Sequence, residues 1–95
     1  MVQPGEVIFE AGAKAEAVFQ VAMGTVRVEA AAGSRLLRPE DLPGGFLGLE
    51  PYLRGGNHGA TARAEETCFL AVIGADRREA FLRTHPALAF QALGF

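Results

Sequence analysis

This 95-residue chain is poor in nucleophilic and soft metal-binding side chains, with one cysteine, two histidines and a single serine. Cys68 on its own excludes an internal disulfide and a cysteine-built zinc site. Because it lies inside the apolar run Cys68-Phe69-Leu70-Ala71-Val72-Ile73, it reads as a small buried hydrophobe. His58 and His85 are unpaired and far apart, short of the His-x-His pair, third histidine and glutamate of a cupin-type metal site. His85, just before Pro86, reads instead as a residue at a helix start. With Ser34 the sole serine, no Ser-His-Asp or Cys-His set can be drawn. Glu65 and Glu66 are neighbours, so in a strand or turn they point apart, into water. The chain is expected to be no enzyme, and to carry no catalytic residue, metal or cofactor.

Net charge and long apolar runs are scarce as well. Nine basic side chains against eleven acidic ones leave a formal charge of -2 spread along the chain, too weak a field to gather nucleic acid or anionic lipid. No apolar run approaches the ~18 residues of a spanning helix, and the opening Met-Val-Gln-Pro-Gly-Glu has neither the basic nor the apolar stretch of a leader. A cytoplasmic protein without nucleic-acid or membrane partners is the expectation. The length suits one domain, which buries roughly 60 to 65 % of its unfolded surface around a single core.

Turn formers, by contrast, are plentiful and regular. Pro4-Gly5, Gly12, Gly24, Gly33, Pro43-Gly44-Gly45 and Gly55-Gly56-Asn57 recur about every eight to twelve residues, the punctuation of short antiparallel strands. In Thr25-Val26-Arg27-Val28-Glu29-Ala30 apolar and polar side chains alternate, which puts one face on a core and one in water. Phe19, Val21 and Met23 are predicted to share a face, as are Val7 and Phe9. The stretch from Thr67 to Ile73, apolar on both faces, is predicted to be a central strand. After Ile73 the period changes. Asp76 with Glu79 three residues on resembles a capping box, with Ala80, Phe81 and Leu82 as the apolar side of a short helix whose Arg77, Arg78 and Arg83 are wet. Pro86 suits the first turn of a second helix to about Leu93, with Gly94 as its stop.

The order PGEVIFEAGAKAEAVFQVAMGTVRV, then LPGGFLG, GATARA and VIGADRREAFLRTHPAL, resembles the cyclic-nucleotide-binding domain of the catabolite-activator and fumarate/nitrate-regulator type. The resemblance covers nearly the whole chain. It implies one such domain over residues 1–95, mainly β: a jelly-roll-like β-roll, or double-stranded β-helix, with short flanking α-helices at the C-terminal end. In that family a long helix and a DNA-binding helix-turn-helix follow the position of Pro86. Here ten residues run from Pro86 to Phe95, at most about 15 Å of helix, so no DNA-binding domain is expected.

The resemblance also implies a phosphate cassette, which in the family reads Phe-x-Gly-Glu, a short helix, then Arg-Ala or Arg-Ser and a Thr or Ser. Phe46 and Gly48 match, and Ala60 and Thr61 fit the small-residue region. Leu49 stands where the family has the glutamate that accepts from the ribose 2'-hydroxyl, with Glu50 one residue later. The place of the phosphate-binding arginine falls to His58 or Gly59, depending on a one-residue gap. Arg54 and Arg63 are the two nearby cations. The candidate ligand residues are therefore Gly48, Leu49, Glu50, Arg54, His58, Gly59, Ala60, Thr61 and Arg63. A hydrogen bond to a charged group contributes about 1.5 to 3 kcal/mol, so losing the guanidinium alone weakens binding by roughly ten- to hundredfold. A free imidazole, with a pKa near ~6.5, is mostly neutral at pH 7 and replaces it poorly.

The expectation is a non-catalytic regulatory or sensor domain with a degenerate cassette, binding a small anionic ligand weakly or a protein partner. Two alternatives stay open. One is a working cyclic AMP or cyclic GMP receptor with Arg54, Arg63 or protonated His58 at the phosphate. The other is a dimerisation module in which Leu88, Phe90, Leu93 and Phe95 pair with a second copy.

Overall fold

The computed structural model describes residues 1–93, and in it the glycine-punctuated part of the chain forms short strands. These are β1 (Val7–Phe9), β2 (Ala17–Met23), β3 (Val26–Ala30), β4 (Gly33–Leu37), β5 (Phe46–Leu47), β6 (Thr61–Ala64) and β7 (Phe69–Gly74). Helix α1 (Leu49–Arg54) sits between β5 and β6, and α2 (Arg78–Thr84) and α3 (Pro86–Leu93) follow β7. All strand pairs are antiparallel, in one sheet of order β1-β6-β3-β4 and another of order β5-β2-β7. This is the mainly β architecture with short C-terminal helices that the sequence pattern implies. Among the described residues no helix is long and apolar enough to cross a membrane.

Gly24 is where the chain leaves one sheet for the other. It lies at φ 105 between β2 and β3, and a Cβ there would sit 2.7 Å from Cys68 Sγ and 2.7 Å from the Thr67 carbonyl oxygen. Both the backbone angle and the missing side chain are needed for the corner to close.

Two apolar clusters result. Val21, Val26, Leu47, Ala62, Ala64 and Cys68 fill the space between the sheets. Val18, Phe46, Tyr52, Leu53, Phe81 and Ala89 join β2 and β5 to the three helices. Strand β2 serves both because its side chains alternate, Val18 to the helices and Val21 to the opposite sheet.

Several local expectations need correction. Phe19 and Val21 do share the inter-sheet face, but the register of β2 slips between Val21 and Met23, and Met23 turns out to 62 % exposure. Val7 is likewise exposed, parted from Phe9 by an irregularity in β1. Strand β7 is not central: it pairs only with β2 and ends that sheet, which leaves Phe69 and Val72 exposed despite the apolar run. Asp76 caps nothing, because residues 75–77 form a 3-10 turn and α2 starts behind Arg77 with no side-chain cap. Glu65 and Glu66 are not merely solvated, since Glu65 pairs with Arg27 and Glu66 accepts from Thr25 Oγ1 at 2.6 Å. In α3, Leu88 and Leu93 pack onto the helix-side core while Phe90 is exposed. Phe95 and Gly94, the predicted helix stop, lie outside the described residues.

Candidate functional site

The stretch from Phe46 to Thr61 is organised by α1. Gly48 precedes the helix with a left-handed φ of 77, and Leu49, Tyr52 and Leu53 bury its inner side. Tyr52 is fully buried; its hydroxyl donates to the Gly74 carbonyl at 2.8 Å, and its ring meets Phe81 edge-on at 5.9 Å. Burial raises the Tyr52 pKa above its ordinary value, against the opposing pull of Arg78. The Arg78 guanidinium lies 5.2 Å over the same ring and its Nε donates to the Tyr52 carbonyl. The helix is thus bolted to β7 and α2 by one aromatic side chain and one arginine.

Outside α1 a cavity of about 260 Å³ opens. Phe9, Val28, Leu37 and Leu47 supply its walls from four strands. Gly48 and Pro51 of the α1 segment close one side, and His58, Gly59 and Ala60 the other. No lysine, arginine, aspartate or glutamate is among these lining residues.

His58 is held from behind. Its N–H donates to the Ala13 carbonyl at 2.9 Å and its own carbonyl accepts from Gly12 at 2.8 Å, which ties it to the turn between β1 and β2. Its ring stacks on Phe9 with centroids 3.7 Å apart and planes within 10° of parallel, and it is 5 % exposed. Gly48 fits against this pair, since a Cβ there would lie 3.1 Å from His58 Cε1 and 3.2 Å from a Phe9 ring carbon. Burial lowers the His58 pKa, because the charged ring loses hydration and gains no acid partner. At neutral pH the cavity therefore presents an uncharged imidazole.

Of the nine candidate residues, Gly48, His58, Gly59 and Ala60 line the cavity. The rest face elsewhere, each for a local reason. Leu49 is buried in the helix-side core. Glu50 and Arg54 pair with each other at 3.3 Å one turn apart on the outer surface of α1, and Arg54 also donates to the Leu93 carbonyl at 3.1 Å. Thr61 spends its hydroxyl as acceptor for the Ala11 N–H at 3.0 Å. Arg63 alternates with inward Ala62 and Ala64, so it points away from the core and pairs with Glu29 at 2.9 Å. Neither arginine is placed at the cavity. Phe9, Val28, Leu37 and Leu47 on strands, and Pro51 in α1, were invisible as site residues, because single apolar positions carry no motif of their own.

What this arrangement can do follows from its chemistry. An apolar chamber with one neutral imidazole can bury a nonpolar surface and exchange one or two hydrogen bonds. It offers no fixed positive charge, so the residues present do not fit a phosphate monoanion, whose burial needs a matched cation. Among the described residues no group of three or more His, Cys, Asp or Glu gathers to hold a metal.

The family model described as the cyclic nucleotide-binding domain matches residues 1–85. Among curated protein sequences there is no match. The Thermus thermophilus catabolite activator protein superposes with a TM-score of 0.72 at 30 % identity, over 97 % of this chain and 44 % of its own. A cAMP-binding acyltransferase from Mycobacterium smegmatis superposes at 0.67 with 24 % identity, over 85 % of this chain and 25 % of that one. A cyclic nucleotide-binding-like protein from Brucella abortus gives 0.66 at 20 % identity, over 86 % and 72 %. The chain thus spans a quarter of the acyltransferase and under half of the activator.

Proposed function

The chain belongs to the cyclic nucleotide-binding domain family, and from that premise we propose that it is a non-catalytic regulatory domain whose phosphate cassette has lost its cation. The observation that carries the reading is His58. With Gly59 it is one of the two residues that fall at the family's arginine position, and it is stacked on Phe9, 5 % exposed, with its pKa lowered by burial. A ring that resists protonation cannot take over the role of a guanidinium. Neither Arg54 nor Arg63 compensates, since each is engaged by a glutamate away from the cavity.

Calorimetric titration of the purified chain with cyclic AMP and cyclic GMP at pH 7.5 tests it. The expected dissociation constant is weaker than about 100 μM, a binding free energy short of about -5.5 kcal/mol. Saturable micromolar capture of either nucleotide overturns the reading.

A further inference from the structure

We propose that the cavity beside α1 binds an uncharged one- or two-ring apolar molecule carrying a single hydrogen-bonding group, which the ring of His58 engages. The inference rests on the loss of the phosphate cation argued above, and goes beyond it by naming what the altered site accepts.

Three observations carry it. The first is the lining: Phe9, Val28, Leu37, Leu47 and Pro51 present carbon, and no charged side chain joins them. Water held against such walls is released in favour of a nonpolar solute, whereas an ion would surrender its hydration without compensation.

The second is the state of His58. The residue is 5 % exposed, yet among the described residues neither ring nitrogen has a hydrogen-bond partner, and no buried side-chain polar atom is sealed away without one. The polar edge of the imidazole therefore keeps an opening, and the residue is part of the cavity lining. A neutral imidazole has one donor and one acceptor nitrogen, so it matches a ligand bearing one hydroxyl or one ring N–H. The open polar edge of the ring is therefore free to exchange a hydrogen bond with a ligand seated in the cavity.

The third is size. A volume of about 260 Å³ falls just below the ~300 to 1,000 Å³ of sites for drug-sized ligands. It equals the share of about nine waters at ~30 Å³ each, room for one or two fused rings.

Indole serves as the probe, since it is uncharged, bicyclic and has one N–H. The labelled protein is titrated with indole at pH 7.5 and followed by NMR at every backbone amide and at the histidine ring nitrogens, with inorganic phosphate and cyclic AMP in parallel. Saturable shifts confined to the Phe9, Val28 and His58–Ala60 resonances, including the His58 ring nitrogens, are the expected result for indole. Ala60→Phe, which fills the chamber, is expected to weaken indole at least tenfold. Indole shifts that fail to saturate or that map elsewhere overturn the inference, as does unchanged binding to a folded Ala60→Phe protein. If that variant does not fold, the wild-type shift map decides alone. Micromolar cyclic AMP binding at the same resonances overturns the lost-cation reading and this inference with it. Weak cyclic AMP binding with no indole response overturns the inference alone.

Discussion

Replacing His58 with arginine places a positive charge on the cavity wall, and the proposed reading says what should change. The backbone of residue 58 is anchored by two hydrogen bonds to the turn at Gly12 and Ala13, so a longer side chain starts from the same point on the cavity wall. One charge-assisted hydrogen bond to a cyclic phosphate contributes about 1.5 to 3 kcal/mol, or roughly 10- to 150-fold in Kd. The same change removes the 3.7 Å stack on Phe9. Such ring pairs contribute about 0.5 to 1.5 kcal/mol, and in a domain this small each kcal/mol moves Tm by roughly 4 to 8 °C. His58→Arg is thus expected to lower the Tm of the free protein while tightening cyclic AMP. Calorimetry at pH 7.5 gives the affinity, and thermal unfolding with and without nucleotide gives the stability. A variant with the lowered Tm whose Kd stays within about threefold of wild type would refute the reasoning, because the cation would then be present and ineffective.

Three further outcomes follow from the same contacts. Because burial lowers the His58 pKa, the unfolded chain takes up a proton below its ordinary value of ~6.5 that the folded chain refuses. Stability should therefore fall from about pH 6.5 downward until the folded ring itself titrates, and urea midpoints for wild type and His58→Gln should converge over that range; parallel curves would count against it. Gly24→Ala forces a Cβ to within 2.7 Å of Cys68 Sγ and of the Thr67 carbonyl at a positive φ. Adding the left-handed penalty to the overpacking cost gives a loss of about 2 to 5 kcal/mol by denaturant unfolding, and a loss under ~0.5 would show that the corner relaxes freely. Arg63→Ala removes a surface pair whose side chains are 43 % and 41 % exposed. It should cost no more than about 1 kcal/mol and leave cyclic-nucleotide titrations unchanged; a further fall in affinity would place Arg63 at the ligand after all.

Much of this was local enough to read along the chain. The turns were legible because glycine at positive φ is a property of one residue, as at Gly12 and Gly24. The family resemblance rested on the order of those turns, and the match over residues 1–85 agrees with it. A local signal against Arg63 also existed: small apolar residues stand on both sides of it in a two-residue period, so its side chain had to leave the core. Strand β7 defeated the same kind of reasoning, because an apolar run does not reveal whether a second neighbour pairs with it.

Taken alone, then, the order of residues determined that this is a small β-rich domain and that its cassette has a histidine or a glycine where an arginine is usual. It did so because turn geometry, strand parity and residue charge are short-range properties. Only the folded chain decided that the histidine is neutral, stacked on Phe9 and open to an apolar chamber, and that both arginines are occupied elsewhere. Desolvation and stacking depend on what distant strands place around a side chain, and no window of neighbouring residues contains that information.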